Sequence, residues 1–222
     1  MTEPTLKLYA HPLSSYCQKV LAALYENGIA FEYLVIDGTE PVASRFAALW
    51  PIGKFPVLTD GDRTVFDATT IIEYLDAAHP GPVRFVPDDP QAAVEVRMLD
   101  RFFDNYVMTP QARIVFDCLR PDGTHDAFGV ARERAMLDTA YAWLDDRMRN
   151  REWAAGDTFG LADCAAAPAL LYADWSHPIP QAYAALWAYR TRLLARPGYA
   201  RALDEARPFR HMFPLGAPEG RD

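Results

Sequence analysis

The stretch LKLYAHPLSSYCQKVLAALYENG, residues 6–28, decides the fold. Leu6-Lys7-Leu8-Tyr9 reads as a short strand, and His11-Pro12-Leu13-Ser14 breaks it. Val20, Leu21, Leu24 and Tyr25 then recur on one helical face until Asn27-Gly28, a pair suited to closing a helix. Phe31 to Ile36 supplies a second strand. Strand, helix and strand in that order predict a parallel pair joined by a right-handed crossover.

Working outward, a looser segment with Phe46, Leu49 and Trp50 leads into Pro51-Ile52-Gly53-Lys54. Phe55 to Thr59 and Arg63 to Phe66 flank Asp60-Gly61, the mark of a hairpin. Thr69 to Ala78 closes the segment as a helix with Ile71, Ile72 and Leu75 on one face. From His79 to Pro90 four prolines and a glycine make a linker composition. Beyond it the strand signals stop. Val94, Met98, Leu99, Phe102, Phe103 and Tyr106 repeat at helical spacing, as do Leu137, Tyr141, Leu144 and Met148. Further helices are predicted over Leu161–Ala173 and Tyr183–Leu194. The layout is a small α/β domain over residues 1–80, a linker over 81–90 and an all-helical domain over 91–222.

Composition narrows the function. The 222 residues are 50% hydrophobic and 23% charged, enough to bury a core and far from the make-up of disorder. A net charge of −8 repels phosphate backbones and anionic membrane surfaces, which argues against nucleic acid and membrane partners. Cys17, Cys118 and Cys164 are odd in number and widely spaced, fitting neither a disulfide framework nor a zinc cluster and pointing to the reducing cytoplasm. Cys118 and Cys164, in apolar helical contexts, are expected to be buried. The opening Met1–Leu13 lacks a leader pattern, and the longest near-apolar run, Cys164–Ala173, is half a membrane span. His79, His125, His177 and His211 are scattered without ligand spacing, so no metal site is expected.

The chemistry concentrates at Ser14-Ser15-Tyr16-Cys17, where the first strand gives way to the first helix. Unpaired amides and the helix dipole favour an anion there, although Ser14 or Ser15 equally suits a plain N-cap. A cis bond in Phe55-Pro56-Val57 would leave the Val57 backbone free to pair with an extended peptide; a trans proline at a strand edge is the plainer alternative. Asp67 opens a helix and suits an N-cap. His11 lies near Ser14 in sequence and is a candidate pocket residue, while Tyr9, inside its strand, is expected in the core.

In this order and at these separations the segments resemble the soluble glutathione transferase family. Ser14–Val20 resembles its catalytic strand-to-helix turn, Pro51–Leu58 its proline loop, and Asp67–Leu75 its γ-glutamyl-binding helix start. Gly160-Leu161-Ala162-Asp163 resembles its buried capping box, and Arg196-Pro197 with Arg207-Pro208 its C-terminal helix ending. The resemblance implies a thioredoxin-like N-terminal domain followed by a helical bundle, glutathione as co-substrate, a homodimer and a role in detoxification. It makes Ser14 the hydroxyl that hydrogen-bonds the glutathione sulfur. A thiol titrates near ~8.5, so a donor that favours the thiolate raises the reactive fraction at neutral pH. It implies that Val57, with Phe55 and Pro56 beside it, pairs with the cysteinyl backbone and that Lys54 reaches the glycine carboxylate. Asp67 with the amides of Ala68 and Thr69 then holds the γ-glutamyl end. Tyr106 and Met108 are the implied neighbours of a small electrophile, to which His11 is added for its nearness to Ser14.

Two features depart from the family pattern. Ala68 replaces a serine whose hydroxyl meets the γ-glutamyl carboxylate, leaving Thr69 or water to substitute, and Gly160 replaces a capping Ser or Thr. Ser14-x-x-Cys17 also resembles a glutaredoxin motif that has lost its attacking cysteine, which argues against disulfide exchange. A non-catalytic binding module of the same fold, and a glutathione-dependent isomerase or ether-cleaving enzyme, are the alternatives to conjugation.

Overall fold

The computed structural model describes residues 6–222. The first five residues, part of the predicted first domain and of the opening read for a leader, lie outside the described residues. Strands β1 (Leu6–Ala10), β2 (Glu32–Val35), β3 (Val57–Asp60) and β4 (Arg63–Phe66) form one sheet in the order β2-β1-β3-β4. The predicted crossover is present: β1 runs parallel to β2, with Leu8 opposite Tyr33. β3 is antiparallel to both neighbours, with Leu58 opposite Leu8 on one side and Val65 on the other. Helices α1 (Ser15–Glu26), α2 (Val42–Leu49) and α3 (Ala68–Ala78) complete this region. The segment read as loose is therefore helical in α2, whose one buried side chain, Phe46, stacks on Tyr9 at 6.2 Å. An eight-residue helix with a single anchor carries too little periodicity to announce itself.

The second region holds α4 (Pro90–Phe102), α5 (Thr109–Cys118), α6 (Ala127–Met148), α7 (Leu161–Ser176), α8 (Ala184–Leu194) and α9 (Pro197–Ala206), then a 3₁₀ turn over Arg207–Met212. Helix α7 is buried along its whole length, which explains its apolar sequence. Helix α1 packs on α3 and also on α7 and α9, so one core spans both halves. Gly198 permits that approach, because a Cβ there would sit 2.8 Å from the Ala22 carbonyl oxygen. Gly160 has a similar origin: a Cβ would come within 3.0 Å of the Phe85 carbonyl, which accepts the Leu161 N–H at 2.9 Å. Asp163 keeps its half of the capping box, accepting the Gly160 N–H at 3.0 Å.

The proline-rich connection is stitched down. Phe85 is fully buried and donates its N–H to Asp76 at 3.0 Å, and the Asn27 side chain bonds both backbone groups of Val83 at 2.9 and 3.0 Å. Between α4 and α5 the chain makes a π-helical turn over Phe103–Met108. The wider turn advances the helical face, so Phe103 is buried whereas Tyr106 points to solvent. Cys118, expected in the core, is exposed at the end of α5, and Cys164 is buried.

Candidate functional site

Where β1 ends, Pro12 has no N–H to extend the sheet, and the chain turns into α1. Ser14 caps the helix in extended conformation (φ −78°, ψ 124°), and its Oγ accepts the Cys17 N–H at 3.4 Å. The amides of Ser15 and Tyr16, in the first turn, have no intrahelical acceptor. A hydroxyl that accepts from the backbone retains its own proton for donation. Cys17 lies beneath it, fully buried, its Sγ accepting the His11 N–H at 3.4 Å. Burial pushes its thiol up to about 12 against the smaller lowering effects of Ser14 and His11, so it stays protonated and inert at neutral pH.

Ser14 opens onto a cleft of about 400 Å³ between the two regions. Ser14, Ser15 and Tyr16 with Gly53, Lys54 and Phe55 line one part of it; the rest of the lining is largely apolar and includes Met108, Val115, Phe116, Tyr172 and Phe213. Burial first, then the negative charge of Asp104, pushes the Tyr16 phenol up to about 12, and Asp67 adds in the same sense. A wider depression of about 670 Å³ among Arg207, Arg210, Glu219 and Asp222 offers no comparable pairing of a helix-start hydroxyl with apolar walls.

Asp67 caps α3, accepting the Thr70 N–H at 3.1 Å, with φ 70°, a left-handed conformation that costs a non-glycine residue about 1–3 kcal/mol. Ala68 is buried and offers only backbone. The Thr69 hydroxyl is already committed: it donates to Asp100 at 2.8 Å, accepts from Lys19 at 2.9 Å, and accepts from Arg101 as well. Lys19, 1% exposed, pairs with Asp100 at 2.6 Å and Asp104 at 2.9 Å. Thr69 therefore cannot lend its hydroxyl in place of the missing serine; its amide remains. Sequence reading missed this ion cluster, since Lys19 looks like an ordinary solvated lysine until two acids of α4 and the π turn close over it.

Ser14, Lys54, Phe55 and Met108 are brought together at the cleft, whereas Asp67, Ala68 and Thr69 are not among the residues that line it. Three other expected residues lie elsewhere. Val57 is fully buried in a strand with neighbours on both sides, in register with Tyr9 and Phe66, so its backbone meets the sheet rather than a ligand. Phe55, one step before β3, is the proline-loop residue on the cleft, and the Phe55–Pro56 bond is cis, with Pro56 buried. His11 turns away, its Nδ1 accepting the Leu13 N–H at 3.2 Å and its ring resting edge-on against Phe209 at 5.1 Å. Tyr106 is rotated to the surface by the π turn and packs on Phe102 at 5.7 Å. Among the described residues no group of three or more His, Cys, Asp or Glu side chains could hold a metal, and no helix is long and apolar enough to cross a membrane.

Comparison with known proteins agrees with this geometry. Residues 8–83 match the glutathione S-transferase N-terminal domain model and residues 107–197 the C-terminal one. Glutathione S-transferase 3 of Zea mays is 28% identical over 208 residues, covering 89% of this chain and 93% of its own. A probable maleylacetoacetate isomerase of Vibrio cholerae is 27% identical over 212 residues, covering 92% and 98%. The crystal structure of a glutathione S-transferase from Methylobacillus flagellatus with glutathione bound superposes with a TM-score of 0.80 at 25% identity, covering 89% of this chain and 98% of that one.

Proposed function

Because the chain belongs to the glutathione transferase family, matched in both of its domains, we propose that it binds glutathione at the polar wall of the cleft and joins its sulfur to a small electrophile held by the apolar wall. The observation that carries the reading is Ser14: an N-cap hydroxyl on a cleft whose lining is otherwise largely apolar. The thiol proton leaves to solvent. The hydroxyl hydrogen bond and the first-turn amides then favour the thiolate. Its sulfur forms a bond to the electrophilic carbon, and either a leaving group departs with the electron pair or the adduct takes up a proton. Phe55, free of the sheet, presents its backbone to the cysteinyl residue, with Lys54 at the glycine carboxylate. The Asp67 carboxylate faces the γ-glutamyl ammonium, and the amides of Ala68 and Thr69 face its carboxylate. Holding the tripeptide at three points fixes the sulfur before the second substrate arrives.

The domain division at residues 81–90, a reducing cytoplasmic location and a homodimer belong to the same proposal. Val94, Met98 and Tyr106 leave an exposed apolar line along α4 and the π turn, suited to a second copy of the chain.

Calorimetric titration with glutathione, followed by a screen of electrophiles in its presence, tests the reading. Saturable binding and conjugate formation are expected; no binding at millimolar glutathione overturns it. A second reading, a non-catalytic binding module, is favoured by the missing hydroxyl at position 68. Ala68→Ser discriminates. If glutathione is the ligand, the restored charge-assisted hydrogen bond tightens its binding by about tenfold or more; a module for another ligand is indifferent. Isomerisation, the activity in the Vibrio cholerae relative's name, is separated by whether product retains the glutathione sulfur.

A further inference from the structure

We infer that Tyr172, on α7 of the helical domain, is a positioning residue: its hydroxyl sets the aim of Ser14 while its ring forms part of the electrophile wall. The inference rests on the glutathione reading and deepens it. The turn that presents Ser14 has little backbone support. Pro12 has no N–H, and the Ser14 N–H reaches back to the His11 carbonyl at 3.0 Å. The two carbonyls immediately ahead of Ser14 are held instead by side chains. Tyr172 donates its O–H to the Leu13 carbonyl at 2.8 Å, across 159 positions of sequence. Gln18 donates through Nε2 to the Pro12 carbonyl at 2.9 Å and to the Tyr172 oxygen at 2.8 Å. Tyr199 of α9 fixes Gln18 in turn, donating to its Oε1 at 2.9 Å.

Every hydrogen-bonding atom of the Gln18 side-chain amide head is thereby engaged or aimed, and the set is buried. Such a network has one arrangement, so it transmits position rather than slack. Tyr172 also faces the ligand space directly. It lines the cleft together with Ser14 and stacks on Phe213, which lines it too, with ring centroids 5.8 Å apart. A molecule resting on this ring presses on the group that holds the Leu13 carbonyl. Occupancy of the apolar wall and the aim of the hydroxyl are consequently coupled through one side chain.

Tyr172→Phe tests this, since it retains the ring and removes the donor. The expected result is a kcat about tenfold lower, the loss of one net hydrogen bond, with KM for glutathione within about twofold. The thiol of bound glutathione titrates at higher pH than in the parent, and amide exchange quickens in residues 11–17. Tyr199→Phe, one bond further away, changes kcat and titration in the same direction by less, and it carries the comparison if Tyr172→Phe does not fold. A wild-type thiol titration and kcat in both variants, while Ser14→Ala loses both, overturns the inference. Unchanged exchange over residues 11–17 overturns it as well, whether or not glutathione binds. Absence of glutathione binding by the parent is the separate failure, that of the functional reading.

Discussion

The starts of α1 and α3 are built differently. At α1 the cap is a hydroxyl in unstrained backbone, accepting one amide at 3.4 Å and keeping a proton to give. At α3 the cap is a carboxylate with φ 70°, able only to accept, followed by a threonine whose hydroxyl is consumed by buried charges. The first suits an anionic sulfur, because it adds a donor to a positive helix end. The second suits a zwitterion: bare amides for its carboxylate and Asp67 for its ammonium. On the proposed function one terminus would serve chemistry and the other grip; Lys19 of α1 joins them through Thr69 at 2.9 Å.

Breaking that join gives the largest effect. Lys19→Met removes the buried cation shared by Asp100 and Asp104 and leaves them only the half-exposed Arg101. Removing one partner from a buried ion cluster costs about 3–5 kcal/mol, and chemical denaturation is expected to find a loss of that size. Burial already raises the Asp104 carboxyl against the pull of Lys19, so the variant recovers part of its stability in acid, where that group protonates. A loss below about 1 kcal/mol would place the lysine among ordinary surface pairs.

Ser14→Ala separates the two termini by function. Conjugation is expected to fall by about 10²-fold or more, the scale for removing one preorganised donor from a developing anion. Folding stability drops by only about 1 kcal/mol, the usual worth of a cap. Glutathione affinity changes little, because the α3 end still grips. Equal losses of affinity and turnover would erase the division between chemistry and grip.

The α1 terminus could be read from the chain because it is local: strand, proline, serines and helical period lie within 23 consecutive residues. What was misread depends on distant neighbours. The hairpin signal announced β4 beside β3, but nothing in the pattern placed β1 on the other side, and it is this second neighbour that encloses Val57. Tyr106, which the family resemblance placed beside the electrophile, follows a 3.6-residue period that the π turn does not keep. Tyr172 read as one more apolar position in a buried helix, since its acceptor lies 159 residues away. Lys19 was passed over for the same reason.

Asp67→Gly sharpens the contrast from the α3 side. Glycine adopts φ 70° without steric cost, which recovers part of about 1–3 kcal/mol of strain, while exchanging a capping Asp for Gly costs a few tenths. The variant is expected to melt at or above the parent temperature and yet to bind glutathione about tenfold more weakly, having lost the partner of the ammonium. Turnover at saturating glutathione stays near the parent value. A variant both weaker in binding and less stable would mean that the left-handed aspartate is held by contacts worth more than its strain.

The mildest test is acid, read at the α1 turn by the difference that His11 makes. Burial lowers the His11 pKa below its ordinary 6.5, outweighing the opposing attraction of Asp37. Its Nδ1 must be unprotonated to accept the Leu13 N–H, one residue from Ser14. Between the native pKa and 6.5 the unfolded chain binds more protons than the folded one, so stability rises with pH across that window. The contribution is complete above 6.5 and is lost as pH falls through the native value. Asp104, raised above 3.8, acts in the opposite sense at lower pH, so the difference between parent and His11→Asn isolates the histidine. The parent is expected to lose more of its denaturation midpoint than His11→Asn between pH 7 and pH 5, and its conjugation rate to fall more steeply in acid. Glutathione affinity should follow the parent in both. Parallel midpoints would show that the bond from Leu13 to the imidazole does not hold the turn, leaving Tyr172 and Gln18 to do so.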